Sequence, residues 1–321
     1  MKNKKIFYGV VGVGHLGNFH AQQALLNPSL NLVGVYDTDM VRGAAVAEKY
    51  KVDFYNNLEL LLKKCDAVSI VTPAIFHCEV SIKALEHNCH VFIEKPFATS
   101  VSEGESIIER AKQKNKLIQV GHIERFNPIL NKFLTYSPTP LYIESERLTP
   151  YNKRGTDVDV ILDLMIHDID LSLFLFNSQI KTVAANGIKI LSDSYDLVNA
   201  RLEFVCGGTA NLTASRLSVH PIRKLRVFEK KIYSSIDLQK LSCVRYWVDK
   251  KTESDKNTVF QYKNNSVKKE TVSADPVNAL YEELEAFSKS ILSKRPIFVN
   301  GSHGLRALEI ALLIQEQINE K

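Results

Sequence analysis

The stretch KIFYGVVGVGHLG, residues Lys5–Gly17, joins a run of apolar, β-branched residues directly to a glycine-rich turn. The turn, GVGHLG, begins at Gly12 and has the spacing G-x-G-x-x-G. In a nucleotide-binding strand–turn–helix unit, the first glycine makes the turn, the second admits a pyrophosphate and the third lets the helix pack on the strand. We therefore predict cofactor contacts from Gly12, Gly14, His15, Leu16 and Gly17.

An acidic residue follows this motif at the spacing that a dinucleotide site requires. Asp37 closes the apolar run VGVYD and stands 20 residues after Gly17. A carboxylate there accepts a hydrogen bond from a ribose 2′-hydroxyl and repels a 2′-phosphate. Because Thr38 and Asp39 follow, with no arginine directly beside Asp37, the pattern favours NAD over NADP.

Apolar strand-like runs alternate with amphipathic segments from Lys5 to about His122. The runs are KIFYGVVG, LNLVGVYD, AVSIVTP, HVFIEKP and LIQVGH. Such alternation is typical of a parallel, doubly wound sheet with helices on both faces. We predict a Rossmann dinucleotide-binding domain over residues 1–123, with ligands at the carboxyl ends of its strands.

Polar residues follow the later predicted strands, at the edge where the ligand should bind. An ammonium at the end of a buried strand must be paired or used, which makes Lys95 a candidate functional residue. Pro96 restricts Lys95 to an extended backbone. Thr72 and His77 could equally be an ordinary turn and helix start. The candidate contacts at these strand ends are Thr72, Pro73, His77, Glu94, Lys95 and His122.

The second half reads as an α/β domain over residues 124–321. Its segment DVDVILDLMIHDIDLSLFLF is apolar almost all round, which predicts a buried helix, yet it contains Asp163, His167 and Asp170. At helical spacing these three share one face. They form either a structural Asp–His pair or a general base held by a carboxylate.

Alternating residues farther along predict a sheet that is mostly antiparallel. RLEFVC-GG-TANLTASR predicts a hairpin with a two-residue Gly207-Gly208 turn and with Cys206 on the same face as Leu202 and Phe204. Two helices should close the chain, the second capped by Ser302.

Composition excludes several classes of protein. The 41 basic and 36 acidic residues give a net charge of +5 that is spread along the chain, which argues against nucleic acid as a partner. Five cysteines without a C-x-x-C pair indicate neither a disulfide framework nor a metal site, and they fit a cytoplasmic protein. No apolar run is long enough to span a membrane.

Four segments, GVVGVGHLGNFHA, VTPAIFH, EKP and DLMIHDID, together resemble the Gfo/Idh/MocA oxidoreductases. The resemblance covers essentially the whole chain. It implies that Lys95, Asp163 and His167 contact the substrate carbinol, and that an open sheet pairs subunits into homodimers or homotetramers. One departure is that many members have paired glycines just before the helix aspartate, where this chain reads DVDVIL.

Within the family, GHIERFNP and RLTPYNKRGTDVDVILDLMIHDIDL resemble the branch that oxidises UDP-N-acetylglucosamine at its 3-hydroxyl. Arg154 would then hold the diphosphate, although a solvent-facing loop arginine is the alternative. We expect His167 to act as general base, Asp163 to orient it, Lys95 to stabilise the alkoxide, and Glu94 to position Lys95 or the nicotinamide ribose. The alternatives are a dehydrogenase of inositol or another free sugar, and a non-catalytic dinucleotide-sensing protein.

Overall fold

The structure is a computed structural model that describes residues 5–151, 159–250 and 257–320. Two compact units share the chain: Met1–Ile123 with Asn278–Glu309, and Glu124–Val277 with Ile310–Lys321. The chain first changes unit after Ile123, at the predicted boundary. The predicted second domain, residues 124–321, differs from the structure because residues 278–309 fold with the first unit.

Six parallel strands form the sheet of the first unit. They are β1 (Ile6–Val11), β2 (Leu30–Tyr36), β3 (Asp53–Tyr55), β4 (Ala67–Ile70), β5 (His90–Ile93) and β6 (Ile118–Val120). Their order, β3-β2-β1-β4-β5-β6, reverses direction between β1 and β4. This arrangement confirms the predicted Rossmann sheet, with its ligand crevice at the reversal. The edge strand β3 was missed because three residues are too few to show a periodic pattern.

Nine α-helices lie in the described ranges. They are α1 (His15–Leu26), α2 (Met40–Tyr50), α3 (Leu58–Leu62), α4 (His77–Glu86), α5 (Val101–Gln113), α6 (Pro128–Leu134), α7 (Ile166–Phe176), α8 (Ala279–Ser293) and α9 (Gly301–Asn319). None of them is both long and apolar enough to cross a membrane. The predicted cap of the last helix was wrong: Asn300 accepts the N–H of His303 at 3.1 Å, and Ser302 already lies inside α9.

Helix α8 belongs to the first unit because its apolar face joins the core of that unit. Leu284 and Phe287 are fully buried in one cluster with Tyr8, Val10 and Phe92. Each buried side chain of this size stabilises the fold by about 1.5 to 3 kcal/mol. The sequence of an amphipathic helix does not reveal which sheet the helix covers. The packing of α8 on the first unit therefore could not be predicted.

Nine strands form the sheet of the second unit. They are β7 (Tyr142–Leu148), β8 (Ile180–Ile188), β9 (Leu197–Phe204), β10 (Thr209–Ser215), β11 (Ile222–Glu229), β12 (Ile232–Asp237), β13 (Ser242–Lys250), β14 (Thr258–Tyr262) and β15 (Asn265–Ser273). Their order is β14-β15-β13-β12-β11-β7-β10-β9-β8. Only the β7–β10 pair is parallel among these described strands, which confirms the predicted mostly antiparallel sheet.

The predicted hairpin is present, but its turn is longer than two residues. Strands β9 and β10 are antiparallel, with Leu202 opposite Ala210. The Phe204 N–H donates to the Gly208 carbonyl at 2.9 Å and closes the ladder there, while Gly207 adopts a φ of 87°. Cys206 therefore lies exposed in the turn, and its predicted place on one strand face with Leu202 and Phe204 was wrong.

Candidate functional site

A cavity of about 710 Å³ lies at the carboxyl ends of β1, β2 and β4. Its volume is within the usual range for a small-molecule or cofactor site. The predicted contacts that line it are Gly12, Gly14, His15, Leu16, Asp37, Thr72 and Pro73. Within the described part of the chain, the predicted contacts that do not line it are Gly17, His77, Glu94, Lys95 and His122.

The glycine-rich turn has the geometry that a pyrophosphate needs. Gly12 has a φ of 84°, and a Cβ there would lie 2.8 Å from the Val71 carbonyl oxygen. A Cβ on Gly17 would collide with the Gly12 carbonyl, so the third glycine lets α1 approach β1. At Gly14 a Cβ would meet no atom within 4 Å. No side chain caps α1 at Gly14, so its first N–H groups are available to an anion.

Asp37 is held at both carboxylate oxygens. One oxygen accepts the Val13 N–H at 2.8 Å and the other accepts the Asp39 N–H at 2.8 Å. Arg42 donates to the same two oxygens at 3.0 and 2.7 Å. Burial acts to raise the pKa of Asp37, but these hydrogen bonds from Arg42 and the backbone hold it below its ordinary value. Arg42, which sequence reasoning missed, thus lines the cavity beside the predicted ribose acceptor.

Thr72 and His77 play different parts at the end of β4. The Thr72 hydroxyl oxygen is buried and has no hydrogen-bond partner among the described residues, so it can bond a ligand in the cavity it lines. The His77 ring lies 2.9 Å from the carbonyl oxygens of Thr72 and Pro96. Burial lowers the pKa of His77, and a neutral ring donates to one of these oxygens. His77 therefore supports the backbone behind the cavity.

Glu94 and Lys95 follow β5, and both are half-buried. Glu94 accepts from His20 Nε2 at 2.9 Å and from the Lys95 N–H at 3.1 Å. Burial acts to raise the pKa of Glu94, but the hydrogen bond and charge of His20, with the charge of Lys95, hold it below its ordinary value. The Lys95–Pro96 peptide is cis. Close by in the sheet, His122 is 1% exposed after β6.

In the second unit, the helix that carries His167 begins with a π-helical turn over Ile161–Met165. Asp163 lies in this turn, and His167 is the second residue of α7; both are half-buried. A π-turn closes i→i+5 bonds, so Asp163 lies in a wider turn than the α-helix on which the common face was predicted. Asp170 is fully buried instead, and it pairs with Arg125 at 2.8 and 2.6 Å.

Two buried arginines anchor α7. Arg147, on β7, bonds both oxygens of Asp168 at 2.9 and 3.0 Å and also bonds Glu124 at 2.7 Å. Arg125 bonds Asp170 in the same two-point manner. Burial acts to raise the pKa of Glu124, but the charge and hydrogen bond of Arg147 hold it below its ordinary value. These arginines were also missed in the sequence.

Two further predictions concern Arg154 and metal ions. Arg154, the predicted diphosphate contact, lies outside the described residues. Among the residues that the structure describes, no group of three or more His, Cys, Asp or Glu side chains is arranged to hold a metal ion.

Two family models match the chain. The model described as an oxidoreductase family with an NAD-binding Rossmann fold matches residues 6–122, and the Gfo/Idh/MocA C-terminal domain model matches residues 115–231. The turn geometry, Asp37 and the unpartnered Thr72 hydroxyl suit the nicotinamide dinucleotide that the first model implies.

Relatives cover most of the chain. The UDP-N-acetylglucosamine 3-dehydrogenase of Acidithiobacillus ferrooxidans is 35% identical over 96% of this chain and 95% of its own length. A structure of that enzyme matches with a TM-score of 0.91, 34% identity and 98% coverage of both chains. The NAD⁺-dependent scyllo-inositol 2-dehydrogenase of Bacillus subtilis is 30% identical over 67% of this chain and 69% of its own. The chain belongs to the Gfo/Idh/MocA family of oxidoreductases.

Proposed function

We propose that this protein is an NAD-dependent dehydrogenase that oxidises the 3-hydroxyl of UDP-N-acetylglucosamine to a 3-keto nucleotide sugar. The observation that carries the proposal is the similarity to a UDP-N-acetylglucosamine 3-dehydrogenase, at 35% identity over 96% of the chain. The inositol dehydrogenase relative is 30% identical over only 67%, so oxidation of a free polyol is the second candidate. Retention of Lys95, Asp163 and His167 argues against a non-catalytic sensing protein.

The proposed chemistry separates a hydroxyl proton from a hydride. When bound, oxidised nicotinamide supplies the hydride acceptor. His167 accepts the proton of the sugar hydroxyl as its C–H bond breaks, and Asp163 orients the His167 ring. The Lys95 ammonium donates a hydrogen bond to the same oxygen and stabilises its developing negative charge. These three roles are carried over from the family resemblance onto the matching residues.

We propose NAD as the preferred cofactor. Asp37 is a carboxylate at the end of β2, where it can accept from a ribose 2′-hydroxyl and repel a 2′-phosphate. The preference should be moderate rather than absolute, since Arg42 neutralises part of this charge and could itself contact a 2′-phosphate. His15, Leu16 and Pro73 would form the wall of the dinucleotide cavity.

We also propose a cytoplasmic homodimer or homotetramer. All five cysteines are free thiols, which fits a reducing compartment. One face of the nine-stranded sheet carries a row of half-buried aromatic side chains, with ring centres 5.6, 4.9 and 6.1 Å apart in succession. The row is Tyr142, Phe228, Tyr233 and Tyr246. Such rings are enriched at subunit interfaces, and light scattering of the wild type against Tyr233→Glu tests whether this row pairs subunits.

A substrate panel tests the function. The purified protein is incubated with NAD and, separately, UDP-N-acetylglucosamine, N-acetylglucosamine or inositol, and the absorbance of reduced nicotinamide is followed. We expect NAD to be reduced only when the nucleotide sugar is the substrate, because binding energy from the diphosphate helps to orient the sugar. Arg154→Ala should raise the KM for the nucleotide sugar and leave NAD binding unchanged. Faster turnover of inositol, with Arg154→Ala neutral, would support the polyol dehydrogenase instead.

A further inference from the structure

A buried chain of hydrogen bonds runs behind Glu94 through the core of the first unit. Tyr8 Oη lies 2.6 Å from Ser69 Oγ, Ser69 Oγ lies 2.8 Å from His20 Nδ1, and His20 Nε2 lies 2.9 Å from Glu94 Oε1. Tyr8 and Ser69 are 0% exposed and His20 is 1% exposed. The side chains come from β1, β4 and α1, so only the folded unit brings them together.

The chemistry of these groups fixes the direction of the hydrogen bond between His20 and Glu94. Glu94 is held as a carboxylate, which can only accept, so His20 Nε2 carries a proton and donates. When the ring is neutral, Nδ1 accepts from the Ser69 hydroxyl, which in turn accepts from Tyr8; a charged ring keeps the donation to Glu94 and donates to Ser69 instead. Burial raises the pKa of Tyr8, which keeps its hydroxyl protonated and able to donate. In either state His20 Nε2 donates to Glu94, and with the neutral ring every donor points toward Glu94, so that each bond polarises the next.

At its other end, the chain of hydrogen bonds reaches the backbone of Lys95, the residue that we propose to stabilise the alkoxide. The second oxygen of Glu94 accepts the Lys95 N–H at 3.1 Å. A Cβ on Gly121 would lie only 2.8 Å from that oxygen, so the carboxylate is packed against the end of β6. Both oxygens of Glu94 thus have fixed neighbours, and one of these neighbours is the backbone of Lys95.

Packing alone does not account for this arrangement. Tyr8 lies in an apolar cluster with Val10, Phe92 and Phe287, where leaving one polar group unpaired costs about 1 to 3 kcal/mol. Apolar side chains would fill the same space without that risk. A fully paired polar chain instead restricts the Glu94 carboxylate to one orientation. Such a restriction is useful only where this orientation affects function.

We propose that His20, supported by Ser69 and Tyr8, is a positioning residue that fixes the orientation and charge of Glu94 and, through Glu94, holds Lys95 for its reaction. The step from Glu94 to Lys95 rests on the proposed function, whereas the step from Tyr8 to Glu94 stands without it. A test therefore needs one measurement that requires no turnover and one that does.

Two substitutions of His20 separate its two ring nitrogens. In His20→Gln the terminal amide can take the place of Nε2 and keep a donor for Glu94. In His20→Asn the shorter amide can take the place of Nδ1, meet Ser69 and leave Glu94 without that donor. His87→Asn is the control, since His87 lies in the same unit and bonds the Lys83 carbonyl at 2.9 Å, outside the chain.

The first measurement is a ¹³C NMR titration of glutamate carboxyl groups, with the Glu94 signal assigned by its loss in Glu94→Gln. His20 is a cause of the lowered Glu94 pKa. We therefore expect the largest rise of the Glu94 pKa in His20→Asn, a smaller rise in His20→Gln, which keeps the hydrogen bond but not the charge, and no change in His87→Asn. Ser69→Ala should raise the pKa by less than His20→Asn, and it carries the test if His20→Asn fails to fold. An unchanged Glu94 pKa in the folded variants would overturn the proposal, whatever the enzyme oxidises.

The second measurement is steady-state turnover with the substrate that the panel identifies. His20→Asn should lower kcat about tenfold or more with little change in the Kd for NAD, because a small misplacement of a catalytic group is enough for such a loss. In the Lys95→Met background the same substitution should have no further effect. Equal losses with and without Lys95 would show that His20 does not act through Lys95, and would overturn that step.

Discussion

The two units hold their buried carboxylates in different ways. In the first unit Glu94 is held by a histidine, itself the end of a chain of neutral hydroxyl groups. In the second unit Asp168 and Asp170 are held by Arg147 and Arg125, each through two hydrogen bonds. A guanidinium stays charged at any pH at which the protein folds, whereas an imidazole can change charge.

The difference indicates two kinds of support for the residues that we propose for catalysis. The arginine pairs anchor α7 firmly, so the position of His167 should depend on the stability of the second unit. The histidine chain fixes the carboxylate of Glu94 beside Lys95, so Glu94 should affect reactivity more than stability. Substitutions in the two units should therefore produce different patterns of loss.

The largest effect should come from the arginine anchor. Arg147→Met leaves Asp168 and Glu124 buried without their cation, and breaking a buried ion pair in this way costs about 3 to 5 kcal/mol. Trp247 is the only tryptophan and lies on β13, so its fluorescence during urea unfolding reports on the second unit. Arg201→Met is the control, because its pair with Glu203 is exposed and should contribute less than about 1 kcal/mol. Similar losses in both variants would contradict the role of Arg147 as an anchor.

The next effect concerns Lys95 of the first unit and His167 of the second, the groups that we propose for the reaction. Lys95→Met and His167→Asn should each reduce turnover about a hundredfold, equivalent to about 2.7 kcal/mol, while the Kd for NAD stays nearly constant. Steady-state kinetics and NAD titrations measure the two quantities separately. Near-normal turnover in either variant would reduce that residue to a structural role.

A smaller effect is expected at Asp37. Here Arg42 donates to both carboxylate oxygens, as the arginines of the second unit do to Asp168 and Asp170. Asp37→Ala should weaken NAD binding about tenfold by removing a charged hydrogen-bond acceptor, and should weaken NADP binding less. Arg42→Ala is the matched variant, and it should harm NADP more than NAD. Fluorescence titrations with both cofactors measure the ratios. A wild-type protein that already prefers NADP would show that Asp37 does not act as proposed.

The smallest effect should be the acid dependence of stability. Glu94 and Glu124 both have pKa values below the ordinary 4.5, so each stabilises its unit fully above about pH 4.5, and this stabilisation is lost as the pH falls through the lower, folded-state pKa. Glu124→Gln should therefore flatten the loss of stability that Trp247 fluorescence reports below pH 4.5. Glu94→Gln should leave that curve unchanged. Equal effects of both variants would mean that the two units unfold together.

The cofactor site could be predicted from the sequence because its elements are local. The turn at Gly12 and the acid at Asp37 belong to one strand–turn–helix–strand unit, in which the spacing of residues determines their places. Arg42 and His20 escaped prediction because their partners are identified only when a helix packs against the sheet. His20 stands three residues after Gly17, so its position on α1 was visible, whereas its contact with Glu94 was not.

The candidate catalytic helix has features that the sequence did not reveal. Asp163, His167 and Asp170 fit one helical face in the sequence, but the π-helical turn at Ile161–Met165, in which Asp163 lies, has no local signal and was not predicted. Arg125 and Arg147 lie in segments that indicated only a family resemblance, and the tertiary fold alone pairs these buried cations with α7. Long-range ion pairs of this kind leave no spacing pattern in a single sequence.

The central claim is that a hydride passes from C3 of UDP-N-acetylglucosamine to the nicotinamide. It is tested most directly by incubating the protein and NAD with UDP-N-acetylglucosamine that carries deuterium at C3, and by determining the mass of the reduced cofactor. We predict that the reduced nicotinamide carries the deuterium and that the labelled sugar reacts more slowly than the unlabelled one. A reduced cofactor without deuterium, or no reduction by this sugar while inositol is oxidised, would contradict the account.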